Sequence, residues 1–228
     1  MSESRDVCFG TTERYTADRL EELFIRLGLE VPNLPRKLDL LEEWSLEPEV
    51  VLVLLEIIRR DKPLNIVEVG AMKGDSTLRM AEVASVYGGR VYAIEEDPTR
   101  SSEIVRRSDA ATNSVRVVQK SSVKAFEDWG REPIDLIIID ADHSFVPQFV
   151  DVAIWSSLLS PGGWLVIHDT LTRLERRFPD DYFSAPFLFD IVDFVGLKNR
   201  LSSKPWQGVA FARWAELFRP SVFRRHES

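Results

Sequence analysis

Glu68-Val69-Gly70-Ala71-Met72-Lys73-Gly74-Asp75-Ser76-Thr77 is the stretch on which the fold of this chain turns. The short apolar run Asn65-Ile66-Val67 precedes it, and Leu78-Arg79-Met80-Ala81 continues it with helical patterning. Strand, glycine turn and helix start follow in order, the arrangement in which backbone N–H groups close on a nucleotide-like ligand. Glu95 falls at the tip of the next expected strand, where a carboxylate accepts hydrogen bonds from ribose hydroxyls. The spacing is G-x-x-x-G, with Met72 where a dinucleotide fingerprint needs its middle glycine. A nucleoside without phosphates suits such a turn better than a pyrophosphate. The competing reading is an ordinary strand–helix turn whose glycines serve packing, and Glu95 weighs against it.

Working outward, the chain alternates. Strands are expected at 64–69, 90–95, 115–119, 134–140 and 164–168, with helical segments near 76–87, 98–110, 122–129 and 146–159, and a last strand near 207–213. Ile134-Asp135-Leu136-Ile137-Ile138-Ile139 and Trp164-Leu165-Val166-Ile167 are nearly continuous apolar runs, as strands buried on both faces require. The alternation predicts right-handed βαβ crossovers and an α/β, doubly wound sheet. Gly88-Gly89 and Pro161-Gly162-Gly163 punctuate two helix-to-strand turns. Residues 1–45 read as an N-terminal helical extension, with a helix from Thr16-Ala17-Asp18 to Leu29 ended by Pro32 and Pro35. Residues 46–228 form the main domain, opened by a helix from about Glu47 to Arg60 and carrying an irregular, substrate-side insertion at about 170–206.

Composition narrows the function. The 228 residues suffice for one filled α/β domain, and 44% hydrophobic with 29% charged is ordinary for a globular chain. A formal net charge of −8 disfavours a nucleic-acid partner, although Arg173, Arg176 and Arg177 make a local basic patch. The single cysteine, Cys8, allows no internal disulfide. With no apolar leader and no membrane-length run, a cytoplasmic location without membrane association is expected.

Polar groups collect beyond the carboxyl ends of the strands, where open parallel sheets bind ligands. The fourth strand ends in Asp140-Ala141-Asp142-His143 and the fifth in His168-Asp169. Asp140, His168 and Asp169 have the donor types for a divalent cation, Mg²⁺ or Mn²⁺ with carboxylates alone, shifted towards softer ions by the imidazole. A metal there would hold a substrate hydroxyl and lower its pKa, and His143 or Asp142 would take the proton. Alternatively Asp142 and Asp169 cap the following segments, and the histidines line a metal-free pocket. Trp129, Trp155 and Trp164 are expected in packing; Trp206, in the irregular segment, could wall a substrate site but is also assigned to packing.

These motifs resemble the class I S-adenosylmethionine-dependent methyltransferases, over about residues 45–170. The subgroup is that of the small-molecule O-methyltransferases, of catechol and caffeoyl-CoA type and of the cephalosporin-hydroxylase and macrolide-sugar type. Glu68 to Thr77 is similar to the first motif of that subgroup, E-[ILV]-G-x-x-x-G-x-S, which itself lacks the middle glycine. The resemblance implies a mostly parallel seven-stranded Rossmann-like sheet and S-adenosylmethionine as cofactor. It assigns the cofactor to Glu68, Gly70, Ala71, Gly74, Ser76, Thr77 and Asp140, places Glu95 on the ribose diol, and puts Ser121 or Ser122 at the adenine. Ile139-Asp140-Ala141-Asp142-His143-Ser144-Phe145 is similar to the D-x-D-[HK]-x-[YF] segment, which makes Asp140 the first metal ligand. His143 falls where some members carry a lysine base and others a histidine. His168-Asp169 occupies the place of the remaining ligands, and His168 departs from the usual Asp or Glu there.

The activity so implied is methyl transfer to a hydroxyl of a small natural product, sugar or phenol, assisted by a divalent metal, with self-association into a homo-oligomer. Rival readings are a metal-independent enzyme with His143 or His168 as base, a non-catalytic scaffold of the same fold, and a nicotinamide oxidoreductase, which Met72 disfavours.

Overall fold

The computed structural model describes residues 17–33, 46–111, 113–130, 132–142, 144–168, 200–201 and 209–213. Helices α1 (Ala17–Arg26) and α2 (Pro48–Asp61) precede strand β1 (Asn65–Val69). The alternation then runs α3 (Asp75–Ser85), β2 (Arg90–Ile94), α4 (Pro98–Ala111), β3 (Val115–Val118), α5 (Ser122–Glu127), β4 (Ile134–Ile139), α6 (Phe145–Ser156) and β5 (Leu159–His168). Strands β6 (Arg200–Leu201) and β7 (Val209–Arg213) complete the sheet.

Its order is β3-β2-β1-β4-β5-β7-β6, with β1 parallel to β2 and β4, β2 to β3, and β4 to β5. Strand β7 joins antiparallel to both β5 and β6. This is the doubly wound arrangement, with its switch point between β1 and β4. Among the described residues six strands have four residues or more, one fewer than the expected seven, and the two-residue β6 only extends the edge. Strand β5 also departs from expectation. It begins at Leu159, and its register against β4 jumps from the pair Ile134/Leu159 to Leu136/Trp164. Pro161-Gly162-Gly163 is therefore an irregularity inside the strand, not a turn ahead of it.

The apolar strands bury both faces because their side chains alternate. Ile66, Leu136, Ile138 and Val166 face one cluster with residues of α1, α2 and α3, and with Ile104 of α4. Val67, Ile137, Ile139, Leu165 and Ile167 face the other, with Ala125 of α5 and Val152 and Trp155 of α6. Helix α1 shares the first cluster through Leu20, Leu23 and Phe24, Leu27 just after it joins them, and Arg60 Nη1 of α2 donates to the Gly28 carbonyl at 2.8 Å. Trp155 is fully buried and meets Trp129 edge-on at 5.6 Å, while Trp164 donates its indole N–H to Asp61 Oδ2 at 2.7 Å. The three tryptophans thus serve packing, as expected; Trp206, Cys8 and the arginines 173, 176 and 177 lie outside the described residues. No described helix is long and apolar enough to cross a membrane.

Candidate functional site

The turn after β1 is set at the switch point by one close approach. Gly70 has φ +90, and a Cβ there would stand 2.3 Å from the Asp140 carbonyl oxygen of the neighbouring strand end. Only glycine meets both conditions. Gly74 opens α3 in the left-handed region at φ +82, against Ile104. Met72 adopts φ +51, so it takes a left-handed conformation without glycine's freedom.

The N–H groups of this turn point into the protein. Gly70 and Ala71 both donate to the Ile94 carbonyl, at 2.9 and 3.1 Å, and Gly74 donates to the Ala71 carbonyl at 2.8 Å. Met72 donates to Glu95 Oε2 at 2.9 Å. The sequence suggested a cradle of free donors; these four are spent on the protein.

Glu68 locks the turn from beneath. Its carboxyl, buried in β1, accepts from Ser76 Oγ at 2.5 Å and from Thr77 Oγ1. Burial pushes its pKa up to about 7, against the opposing effect of the two hydroxyls. Ser76 and Thr77 are themselves buried, so their hydroxyls hold the first turn of α3 to β1. Arg107 of α4 clamps the outer side, donating to the Lys73 carbonyl at 2.6 Å and pairing with Asp75.

Glu95 stands at the end of β2 with its oxygens already oriented. Oε2 accepts the Met72 N–H and Oε1 the Asp97 N–H, each at 2.9 Å. A carboxylate oxygen has a second lone pair, so both retain acceptor capacity for a diol. The residue is buried, and ordering it costs nothing further at the moment of binding.

Across the switch point, His168 ends β5 between two carboxylates. Its Nε2 lies 2.6 Å from Glu47 Oε2, and its Nδ1 lies 2.8 Å from Asp140 Oδ1. Burial would push the imidazole pKa down, yet Asp140 and Glu47 outweigh it and hold the ring well above its ordinary value. Each ring nitrogen thus stands within hydrogen-bonding distance of a carboxylate oxygen. His168, expected as a metal ligand, is placed between Glu47 and Asp140. Among the described residues no group of three or more His, Cys, Asp or Glu side chains could hold a metal ion. Asp169, the third expected ligand, lies outside them.

Comparison with known proteins fits this geometry. The model of a family described as a methyltransferase domain matches residues 67–170. That span runs from the first glycine turn through the strand-end cluster. This span is similar to a methyltransferase domain, and the sheet that carries it is doubly wound. No curated protein matches the chain. Among solved structures, the fold resembles an O-methyltransferase from Bacillus cereus in complex with S-adenosylhomocysteine. The TM-score is 0.62 at 18% identity, over 92% of this chain and 94% of that one. The O-methyltransferase TomG from Streptomyces achromogenes, involved in tomaymycin synthesis and bound to S-adenosylmethionine, gives 0.64 at 14% identity, over 90% and 91%. The N-methyltransferase NodS from Bradyrhizobium japonicum gives 0.59 at 18%, over 88% and 98%. The same fold thus carries both oxygen and nitrogen acceptors among its neighbours.

Within the matched span the remaining expected residues separate. Asp142 Oδ1 accepts from Ser144 N–H at 2.9 Å and Ser144 Oγ at 2.7 Å, the capping arrangement weighed against its role as base. His143 lies outside the described residues. Ser122 donates to Asp151 Oδ1 at 2.5 Å and accepts from the Trp155 indole at 2.8 Å, so its hydroxyl is committed to the core. Ser121 is exposed at the N-terminus of α5. Burial raises Asp151 to about 6, with Ser122 opposing and Asp142 adding to the shift. Glu47, Arg107 and Asp151 escaped the sequence reading. No short motif marks them, because each acts on a partner far along the chain.

Proposed function

We propose that the protein transfers a methyl group from S-adenosylmethionine to a hydroxyl of a small molecule, without a bound metal. The observation that carries this reading is Glu95, a buried carboxylate oriented by two backbone N–H groups beside a turn whose donors are spent. That pairing suits a ribose diol on a nucleoside without phosphates, and it counts against a dinucleotide. The donor set thus fits S-adenosylmethionine, which supplies a methyl group on a sulfonium leaving group. The metal-independent route is adopted because His168 stands between two carboxylates, one at each ring nitrogen.

Glu95 accepts hydrogen bonds from the ribose, Ser121 contacts the adenine, and Gly70, Ala71 and Gly74 shape the wall of the pocket. Asp140, at the end of β4 and partly exposed, presents a carboxylate to the cationic end of the cofactor. The acceptor oxygen–methyl bond forms as the methyl–sulfur bond breaks. The hydroxyl proton passes to a base on the loop after β4, His143 first and Asp142 second. Alignment of the three reacting atoms supplies most of the acceleration. Residues 1–45 and the insertion at about 170–206 are assigned to the acceptor side, since loops over strand ends carry specificity.

Calorimetric titration with S-adenosylhomocysteine tests the reading. Saturable binding should weaken about 100-fold in Glu95→Ala, since two hydrogen bonds to a charged acceptor are lost. EDTA should leave turnover on an accepted hydroxyl unchanged. Absence of binding would overturn the methyltransferase activity and bring forward a non-catalytic scaffold; loss of turnover in EDTA, restored by Mg²⁺, would overturn the metal-free route alone.

A further inference from the structure

Glu47 has no place in the methyltransferase motifs and sits outside the span that the family model matches. It is the residue before Pro48, which opens α2, and its backbone is extended at φ −59 and ψ 144, as a residue preceding proline prefers. Its side chain does not cap α2. The carboxyl group instead enters the sheet end and meets His168 Nε2 at 2.6 Å. Both groups are deeply buried, at 5% and 3% exposure. Burying a carboxylate away from water is costly unless it is paired, so this placement needs a compensating partner.

The pairing continues through the ring. His168 Nδ1 lies 2.8 Å from Asp140 Oδ1, and the His168 carbonyl accepts from Gln148 Nε2 at 3.2 Å. The imidazole is thus held by its backbone, by α6 and by carboxylates on both nitrogens. Asp140 is the most open member of the chain, with its side chain 16% exposed. Its backbone carbonyl is the one that Gly70 must approach. One end of the series is therefore at the start of α2, and the other is at the glycine turn.

We propose that Glu47 is a positioning residue of the methyl-transfer site, orienting the Asp140 carboxylate through His168. The inference rests on the reading of Asp140 as a cofactor-facing group. A rigid carboxylate at that point binds the cationic end of the cofactor without having to be ordered first. Glu47 also makes the helical segment before β1 a working part of the site.

The test is a double-mutant cycle on S-adenosylhomocysteine affinity, with thermal melting as a control for folding. Glu47→Ala should weaken binding about tenfold, the scale of one lost charge-assisted hydrogen bond. Asp140→Asn should do the same, and the double variant should be no weaker than either single one. Glu47→Gln, which keeps an acceptor for Nε2, should recover most of the affinity. A purely structural role would lower the melting temperature of Glu47→Ala and give additive losses. In ¹⁵N-histidine-labelled protein, with three histidines in all, the His168 ring N–H protons should resonate downfield. The one facing Asp140 should move on addition of S-adenosylhomocysteine. Where the wild type binds, an affinity of Glu47→Ala unchanged from it, or strictly additive losses in the double variant, would overturn the positioning role. Failure of the wild type to bind would instead strike the methyltransferase reading.

Discussion

Gly70→Ala should abolish S-adenosylhomocysteine binding and cost about 4 kcal/mol of stability by chemical denaturation. Two separate costs add at this one position. The new methyl would stand 2.3 Å from the Asp140 carbonyl oxygen and 2.7 Å from the Ala141 Cα, and both are backbone. They cannot yield easily, because Asp140 N–H donates to the Val69 carbonyl at 2.9 Å and β1 pairs with β4 through Val69 and Ile139. The second cost is the left-handed backbone at φ +90, which disfavours any side chain. Gly88→Ala separates the two. Gly88 has φ +85 with nothing within 4 Å of its Cβ position, so it carries the conformational cost alone, about 1 kcal/mol. If Gly70→Ala costs no more than Gly88→Ala, the close approach at the switch point does not constrain the turn.

That turn also shows how far the sequence could be read. Apolar runs and glycine placement located β1 to β5 within a residue or two at most ends, since strands buried on both faces leave an unambiguous hydrophobic record. The start of β5 was missed because Pro161-Gly162-Gly163 carries the composition of a turn, whereas the sheet absorbs it as an irregularity beside Ile134. Glu95 was legible because a motif ties its position to the strand tip. The donors of the turn were not, because whether a backbone N–H faces ligand or protein depends on tertiary partners such as the Ile94 carbonyl. The surroundings of His168 were only half legible for a related reason. An imidazole among carboxylates suggests a metal site when only Asp140 and Asp169 are in view. Glu47, which stands at the second ring nitrogen, comes from far earlier in the chain and could not be foreseen from that cluster.

Glu68→Gln should flatten the pH dependence of stability between about pH 4.5 and 7, where the wild type loses about 3 kcal/mol relative to it. Burial raises the carboxyl pKa from 4.5 to about 7, although the Ser76 and Thr77 hydroxyls pull the other way. The sign follows from proton counting. In that interval the folded state keeps a proton that the unfolded chain releases, so stability falls as pH rises and levels off above the folded pKa. Glutamine keeps a neutral group of the same shape against both hydroxyls and has no proton to lose. Melting curves of the two proteins at matched pH isolate the effect, because the other shifted groups, His168 and Asp151, remain in both. Parallel profiles from pH 5 to 8 would mean that the two hydroxyl bonds outweigh burial and Glu68 stays ionised. A falling difference would show that the lock beneath the glycine turn is strongest when it is neutral, so that the turn itself, and with it the pocket, loosens towards alkaline pH.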